Sequence, residues 1–115
     1  MDRDDHGCRH ELLRILKTII KRDYLLRFLT SFHVKHAFLH YIKTSRNWSG
    51  ENAVGEHFLG FMRALQAMLV RESIPHFWDP QFNVIEDIKQ YACLMVYGCA
   101  TILNNEQVRN TLLST

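Results

Sequence analysis

Apolar residues recur along this chain at steps of three and four almost throughout, which is the spacing of one helix face rather than of a strand. Leu12, Leu13, Leu16, Ile19 and Ile20 predict a first helix over about residues 9–22, with Arg14, Lys17 and Lys21 as a positive stripe on its other side. Such a stripe is ordinarily a solvated face. Residues 24–29 read as a further helical turn or two, and Ser31 reads as the N-cap of a helix over about 32–44. Residues 45–50 have the hydroxyl, amide and glycine content of a loop, with Trp48 as its anchor on the core. The clearest stripe is Val54, Phe58, Phe61, Met62, Leu65, Met68 and Leu69, which marks residues 51–71 as a central core helix. Gly55 and Gly60 within it imply close approach of a neighbour.

Pro75 ends that pattern, and Pro75-His76-Phe77-Trp78-Asp79-Pro80 with Gln81-Phe82-Asn83 reads as an extended, aromatic-rich connector lying across the helices. Helix resumes near Val84 or Ile85 and continues to Leu103; Asn104-Asn105 then precedes a short last helix over about 106–113. The fold class expected is all-α.

Composition adds limits. At 115 residues and 47% hydrophobic, the chain is one domain able to bury a single core. A net charge of +2, from 14 basic and 12 acidic residues spread along the sequence, does not demand nucleic acid. Cys8, Cys93 and Cys99 form no close pair, and no apolar secretion signal opens the chain, so an intracellular setting, cytoplasmic or nuclear, is expected. The apolar run at 91–103 is too short to cross a bilayer and contains Gly98, so it reads as a buried helix and no membrane span is predicted.

Candidate chemistry concentrates at Ser31-Phe32-His33-Val34-Lys35. A capping hydroxyl beside free helix amides can receive a phosphate, a ring can stack on a base, and Lys35 lies one turn on. A capping serine, a core phenylalanine and a solvated lysine have the same pattern. His36 and His40, four apart, could face one metal, but Ala37 stands where a helix-borne hydrolase needs a glutamate, and histidines on a polar helix edge near the surface explain the spacing. His6, Cys8 and His10 lack a second cysteine for a complete zinc site. Glycine-rich phosphate loops, a Gly-x-Ser-x-Gly elbow and Cys-x-x-Cys are absent, and Glu86-Asp87, adjacent on a predicted helix, diverge too far to grip one magnesium ion.

Leu16-Lys17-Thr18-Ile19-Ile20, Ser31-Phe32-His33-Val34-Lys35, Trp48, Pro75-His76-Phe77 and Phe82-Asn83-Val84 together resemble the carboxy-terminal helical lobe of the cyclic GMP-AMP synthase-like receptor and male-abnormal-twenty-one (Mab) nucleotidyltransferase family, in order and approximate spacing over residues 8–88. The resemblance implies a compact multi-helix lobe, helix-hairpin-helix/H2TH-like, over 9–90, after a mobile start at 1–8 and before additional terminal helices at 91–115 packed on the same domain. It further implies a two-lobed nucleotidyltransferase that makes cyclic dinucleotides in innate immune sensing of nucleic acid. The amino-terminal lobe of that enzyme carries a Gly-Ser motif and three carboxylates holding magnesium or manganese.

For this chain the resemblance implies an ATP- or GTP-type nucleotide as ligand, the amino-terminal lobe as partner, double-stranded DNA or RNA only through the full protein, no metal of its own, and binding without turnover. Lys17 and Ser31 match family residues that contact nucleotide phosphates, and Phe32 matches the ring that stacks on a base. Family members usually carry tyrosine there, so Phe32 keeps the stacking face and lacks the phenolic hydrogen bond. The family's zinc loop of one histidine and three cysteines is not carried over, since only Cys8 and His6 stand in its neighbourhood. Noncatalytic relatives that act in development or as protein-interaction adaptors share these motifs, and that alternative stays open.

Overall fold

The computed structural model describes residues 7–48 and 52–105. The first helix, α1, spans Cys8–Arg22 and buries Cys8, Leu12, Leu16 and Ile20, one residue per turn along a single line. It stops at Asp23, whose backbone is extended and whose carboxylate accepts the amides of Leu25 (2.9 Å) and Leu26 (3.2 Å). That Asx-type closure gives turns at 25–28 where the sequence predicts further helix, because the side chain takes amides that a helix would use itself. Leu26 and Leu29 are buried there, and Phe28 stacks on Tyr91 with ring centroids 4.0 Å apart.

The second helix, α2, spans Ser31–Thr44, and its N-cap is Thr30 rather than Ser31. Thr30 and His33 form a capping box: the Thr30 side chain accepts the His33 amide, and His33 Nδ1 accepts the Thr30 amide at 2.9 Å. Both hydroxyl residues suit a cap; the imidazole three residues after Thr30 selects between them. The third helix, α3, spans Ala53–Val70 and packs against α1, α2 and the fourth helix, α4, Ala92–Leu103. Its predicted stripe is buried from Phe58 onward, with Phe58, Phe61, Met62, Leu65 and Leu69 fully so, while Val54 is half-buried. Gly60 leaves room for the Tyr41 hydroxyl of α2, which a side chain would displace. That hydroxyl donates to His57 Nδ1 at 2.7 Å, His57 Nε2–H donates to the Asn47 carbonyl at 3.3 Å, and Trp48 lies flat on the His57 ring at 3.8 Å. Trp48 is thereby the buried loop anchor that its sequence context predicts.

Residues 75–83 close into a hairpin-like loop instead of running extended. An isolated antiparallel bridge pairs Pro75 with Asn83, the His76 amide donates to the Phe82 carbonyl (2.8 Å), and the Val84 amide to that of Ile74 (2.9 Å). Asn83 pins the closure: its Oδ1 accepts the amides of Ile74 (3.0 Å) and Ile85 (3.1 Å), and its Nδ2 donates to the Glu72 carbonyl (2.8 Å). The helix predicted from Val84 or Ile85 is therefore delayed. Amides of Glu86, Ile88 and Tyr91 bond three residues back, giving turns at 84–88, one 3₁₀ turn at Lys89–Tyr91, and only then α4. Glu86 and Asp87 accordingly lie on a turn. Gly98 of α4 admits residues 24–29, since a Cβ there would lie 3.0 Å from Leu25 Cβ and 3.1 Å from Leu26 Cγ.

The described residues contain four α-helices and no named strand, so the fold is all-α. None of their helices is long and apolar enough to cross a membrane. The predicted helix at 106–113, residues 1–6 of the start and residues 49–51 lie outside the described residues.

Two outcomes follow from this packing. Asn83→Ala removes three hydrogen bonds and strands two amides, so urea unfolding should show a loss of about 2–4 kcal/mol; a change below about 0.5 kcal/mol would show that the loop closes without it. Burial, and secondarily the Asp23 carboxylate, push the Cys99 thiol up to about 12, and Cys8 is also buried, whereas Cys93 is exposed. A brief pulse of thiol reagent on the folded protein should therefore label Cys93 first, read by peptide mass, with Cys8 and Cys99 reacting on denaturation.

Candidate functional site

The α1 stripe and the cap of α2 meet at a cleft of about 420 Å³. From α1 come Lys17, Thr18, Ile20 and Lys21; from the α2 start come Leu29, Thr30, Ser31 and Val34. Its floor is apolar, because Ile20, Leu29 and Val34 are core residues. Its rim is polar, because Lys17, Lys21, Thr30 and Ser31 stay exposed. Helical phase explains the division: Lys17 and Lys21 each follow a buried residue, Leu16 and Ile20, by one position, so both reach the edge where α1 faces α2.

Charge in the cleft is positive on both sides. The two lysines supply point charges, and α2 opens there with unshared amides and no acidic residue in its first turn. His33, which holds the cap, is kept below the ordinary imidazole range by burial, partly offset by Asp87 and a hydrogen bond with the Val84 backbone. A neutral ring is what the cap requires, since Nδ1 accepts the Thr30 amide. Arg14, third in the basic stripe, is paired with Glu11 at 2.7 Å.

Of the residues singled out in the sequence, Lys17 and Ser31 share this cleft and Phe32 does not line it. The Phe32 ring, 47% exposed, turns to the other side of the α2 tip, edge-on to His36 at 4.6 Å and 6.2 Å from His76. There it begins an exposed aromatic rim with Trp78 (66% exposed) and Phe82 (53%), joined through the His76 ring at 5.9 and 6.0 Å. Lys35 leans over Trp78, its Nζ 5.8 Å from the ring centre. Lys21 and Thr30 were legible as candidates, the first four residues after Lys17 and the second a hydroxyl next to Ser31. The rim was not, because loop closure creates it.

His36 and His40 serve the loop. His36 Nδ1 accepts the Phe77 amide at 2.9 Å and His40 Nε2–H donates to the Pro75 carbonyl at 2.7 Å. His36 is only 2% exposed, so the surface position expected for it is corrected: the loop covers it. Cys8 is buried against the core, and His6 lies outside the described residues. Among the described residues no three histidine, cysteine or carboxylate side chains gather as metal ligands would.

An all-helical lobe with a basic cleft between its first two helices is the class of domain defined here. The Mab-21 protein HhH/H2TH-like domain matches residues 8–101, which takes in all four helices to within two residues of the end of α4, and the chain belongs to that family. It is also 37% identical over 118 residues to a protein of Stylophora pistillata named cyclic GMP-AMP synthase-like receptor 3, covering 98% of this chain and 35% of that relative. The chain thus spans about a third of the relative's length.

The cap assignment separates two adjacent hydroxyls. Thr30→Ala should destabilise the protein by about 1 kcal/mol in urea unfolding, and Ser31→Ala by less than about 0.5 kcal/mol. A larger loss in Ser31→Ala than in Thr30→Ala would return the cap to Ser31.

Proposed function

We propose that the cleft receives the phosphates of an ATP- or GTP-type nucleotide, and that this chain is the nucleotide-binding helical lobe of a cyclic GMP-AMP synthase-like nucleotidyltransferase. The observation that carries the reading is the convergence of Lys17, Lys21 and Ser31 on one cleft at the amino end of α2. A phosphate there meets two cations, a hydroxyl and helix amides, over an apolar floor that limits competing water. The Phe32 ring, exposed beside Ser31, offers the base a stacking face. The name of the Stylophora pistillata relative supports the same class.

In this reading the chain binds and orients. Carboxylates holding magnesium or manganese, and the transfer chemistry with them, belong to an amino-terminal lobe that completes the pocket. Synthesis of a cyclic dinucleotide in innate sensing of double-stranded DNA or RNA is the activity proposed for the two lobes together, in an intracellular protein. Lys17 and Lys21 then act as point charges, and their contribution falls with salt.

Titration with ATP or GTP, followed by amide NMR, should move the signals of Lys17, Lys21 and Ser31 at millimolar ligand, with Phe32 following. Lys17→Ala should weaken that binding roughly five- to tenfold, about 1–1.4 kcal/mol, without altering the urea midpoint. Shifts confined to residues 76–82, or none at Lys17 and Ser31, would remove the cleft from the proposed site.

A further inference from the structure

The loop at 75–83 is fastened to α2 by imidazoles, and two of these fasteners need an unprotonated ring nitrogen. His36 is buried and its Nδ1 accepts the Phe77 amide at 2.9 Å, a bond spanning 41 residues of sequence. His76 Nδ1 accepts the amides of Trp78 and Asp79, each at 3.2 Å, and so shapes the loop from within. The two rings touch, with centroids 4.2 Å apart. The third fastener, His40, donates through Nε2–H to the Pro75 carbonyl, and a donor survives protonation. We infer that His36, with the His76 ring packed against it, forms a proton-operated latch that holds the loop on α2 at neutral pH and releases it in mild acid, a device independent of what the cleft binds.

The chemistry is a change of sign at one atom. A proton arriving at His36 Nδ1 sets one N–H against another and leaves the Phe77 amide without an acceptor inside the fold. The charged and titratable groups acting on His36 are His76 from the loop and Lys35, His40 and His33 from α2, every one basic. Asp87 acts on His33, and no carboxylate is among the groups that act on His36. No carboxylate therefore compensates a charged His36.

Burial, followed by His76, Lys35, His40 and His33, sets His36 below the ordinary imidazole value. The unfolded chain thus takes up this proton before the folded one. Stability from the latch is complete above the unfolded imidazole value of about 6.5, and is lost as pH falls through the lowered value of His36. Release also frees Phe32 and Trp78, whose rings pack edge-on to His36 at 4.6 and 5.7 Å. The aromatic rim is consequently a neutral-pH structure.

The test is amide hydrogen exchange by NMR on the full chain from about pH 7.5 to about pH 5, with the ring nitrogen shifts of His36 and His76 followed in parallel. After correction for intrinsic rates, protection of the Phe77 amide should fall by about tenfold or more relative to α3 amides as His36 protonates. In the double variant H36N/H76N, each asparagine Oδ1 replaces an imidazole Nδ1 as a non-titrating acceptor, and Phe77 protection should stay level. A matching fall in that variant overturns the latch. Should the variant lose its helical circular dichroism, the native protein decides alone: a His36 ring that protonates while Phe77 stays protected, or one that stays neutral throughout, overturns it as well.

Discussion

Burial of the line Leu12, Leu16 and Ile20 is the constraint on which the arrangement around the cleft depends. Each of these side chains contributes about 1.5–3 kcal/mol on leaving water, so turning α1 by one residue, about 100°, would forfeit several of them together. The Arg14–Glu11 pair of α1 is exposed and worth little beside that scale. With the rotation of α1 set by its core face, Lys17 and Lys21 have no choice of neighbour. Leu29 and Val34, buried on either side of Ser31, fix the α2 tip in the same manner. The charged rim is therefore a consequence of apolar packing, and it needs no attraction between its own members, which repel.

Histidine carries much of the polar order outside the helices. In His33, His36 and His76 the same atom, Nδ1, accepts backbone amides, respectively of Thr30, of Phe77, and of Trp78 with Asp79. Irregular backbone near a core must place its amides somewhere, and side-chain acceptors are the general remedy. Asn83 supplies the same service with a group that does not titrate. The loop is therefore held at its base in a pH-independent way and across its span by imidazoles. Spacing alone makes His36 and His40 resemble metal ligands; their actual partners are a backbone amide and a carbonyl.

How much of this was legible in the sequence varies with the range of the deciding interaction. The helices α1 and α3 could be read closely because each has one apolar stripe whose period is local, and Trp48 could be read because it is the one large apolar side chain in its polar loop. The α2 start was misread by one residue. Thr30 and Ser31 have equal local claims, and the choice falls to His33, whose neutrality depends on burial within the folded chain. The stretch at 84–91 looks helical because Val84, Ile85 and Ile88 are apolar, yet the Asn83 carboxamide captures the Ile85 amide and sets a tighter turn. Loop closure was illegible for a plainer reason: the bond between His36 and Phe77 joins two segments with no shared pattern. Within the candidate site, Lys17 and Ser31 line one cleft, whereas the direction of Phe32 depends on the loop.

That direction constrains what the proposed site can hold. Ser31 and Phe32 are neighbours in sequence, but consecutive residues on a helix point about 100° apart, and here the serine lines the cleft while the ring leans toward His36 and the loop. A small anion in the cleft, such as inorganic phosphate, would reach the lysines and the serine and leave the ring untouched. Engaging both sides of the α2 tip takes an extended ligand with a charged end and a flat apolar end, joined by a linker that bends over the first turn of the helix. A nucleotide has that form, with ribose as the linker. Because α1 sets the lysine side of the α2 tip through its buried row and the loop sets the ring side through His36, the spacing between cleft and ring is governed by two separate elements of the fold.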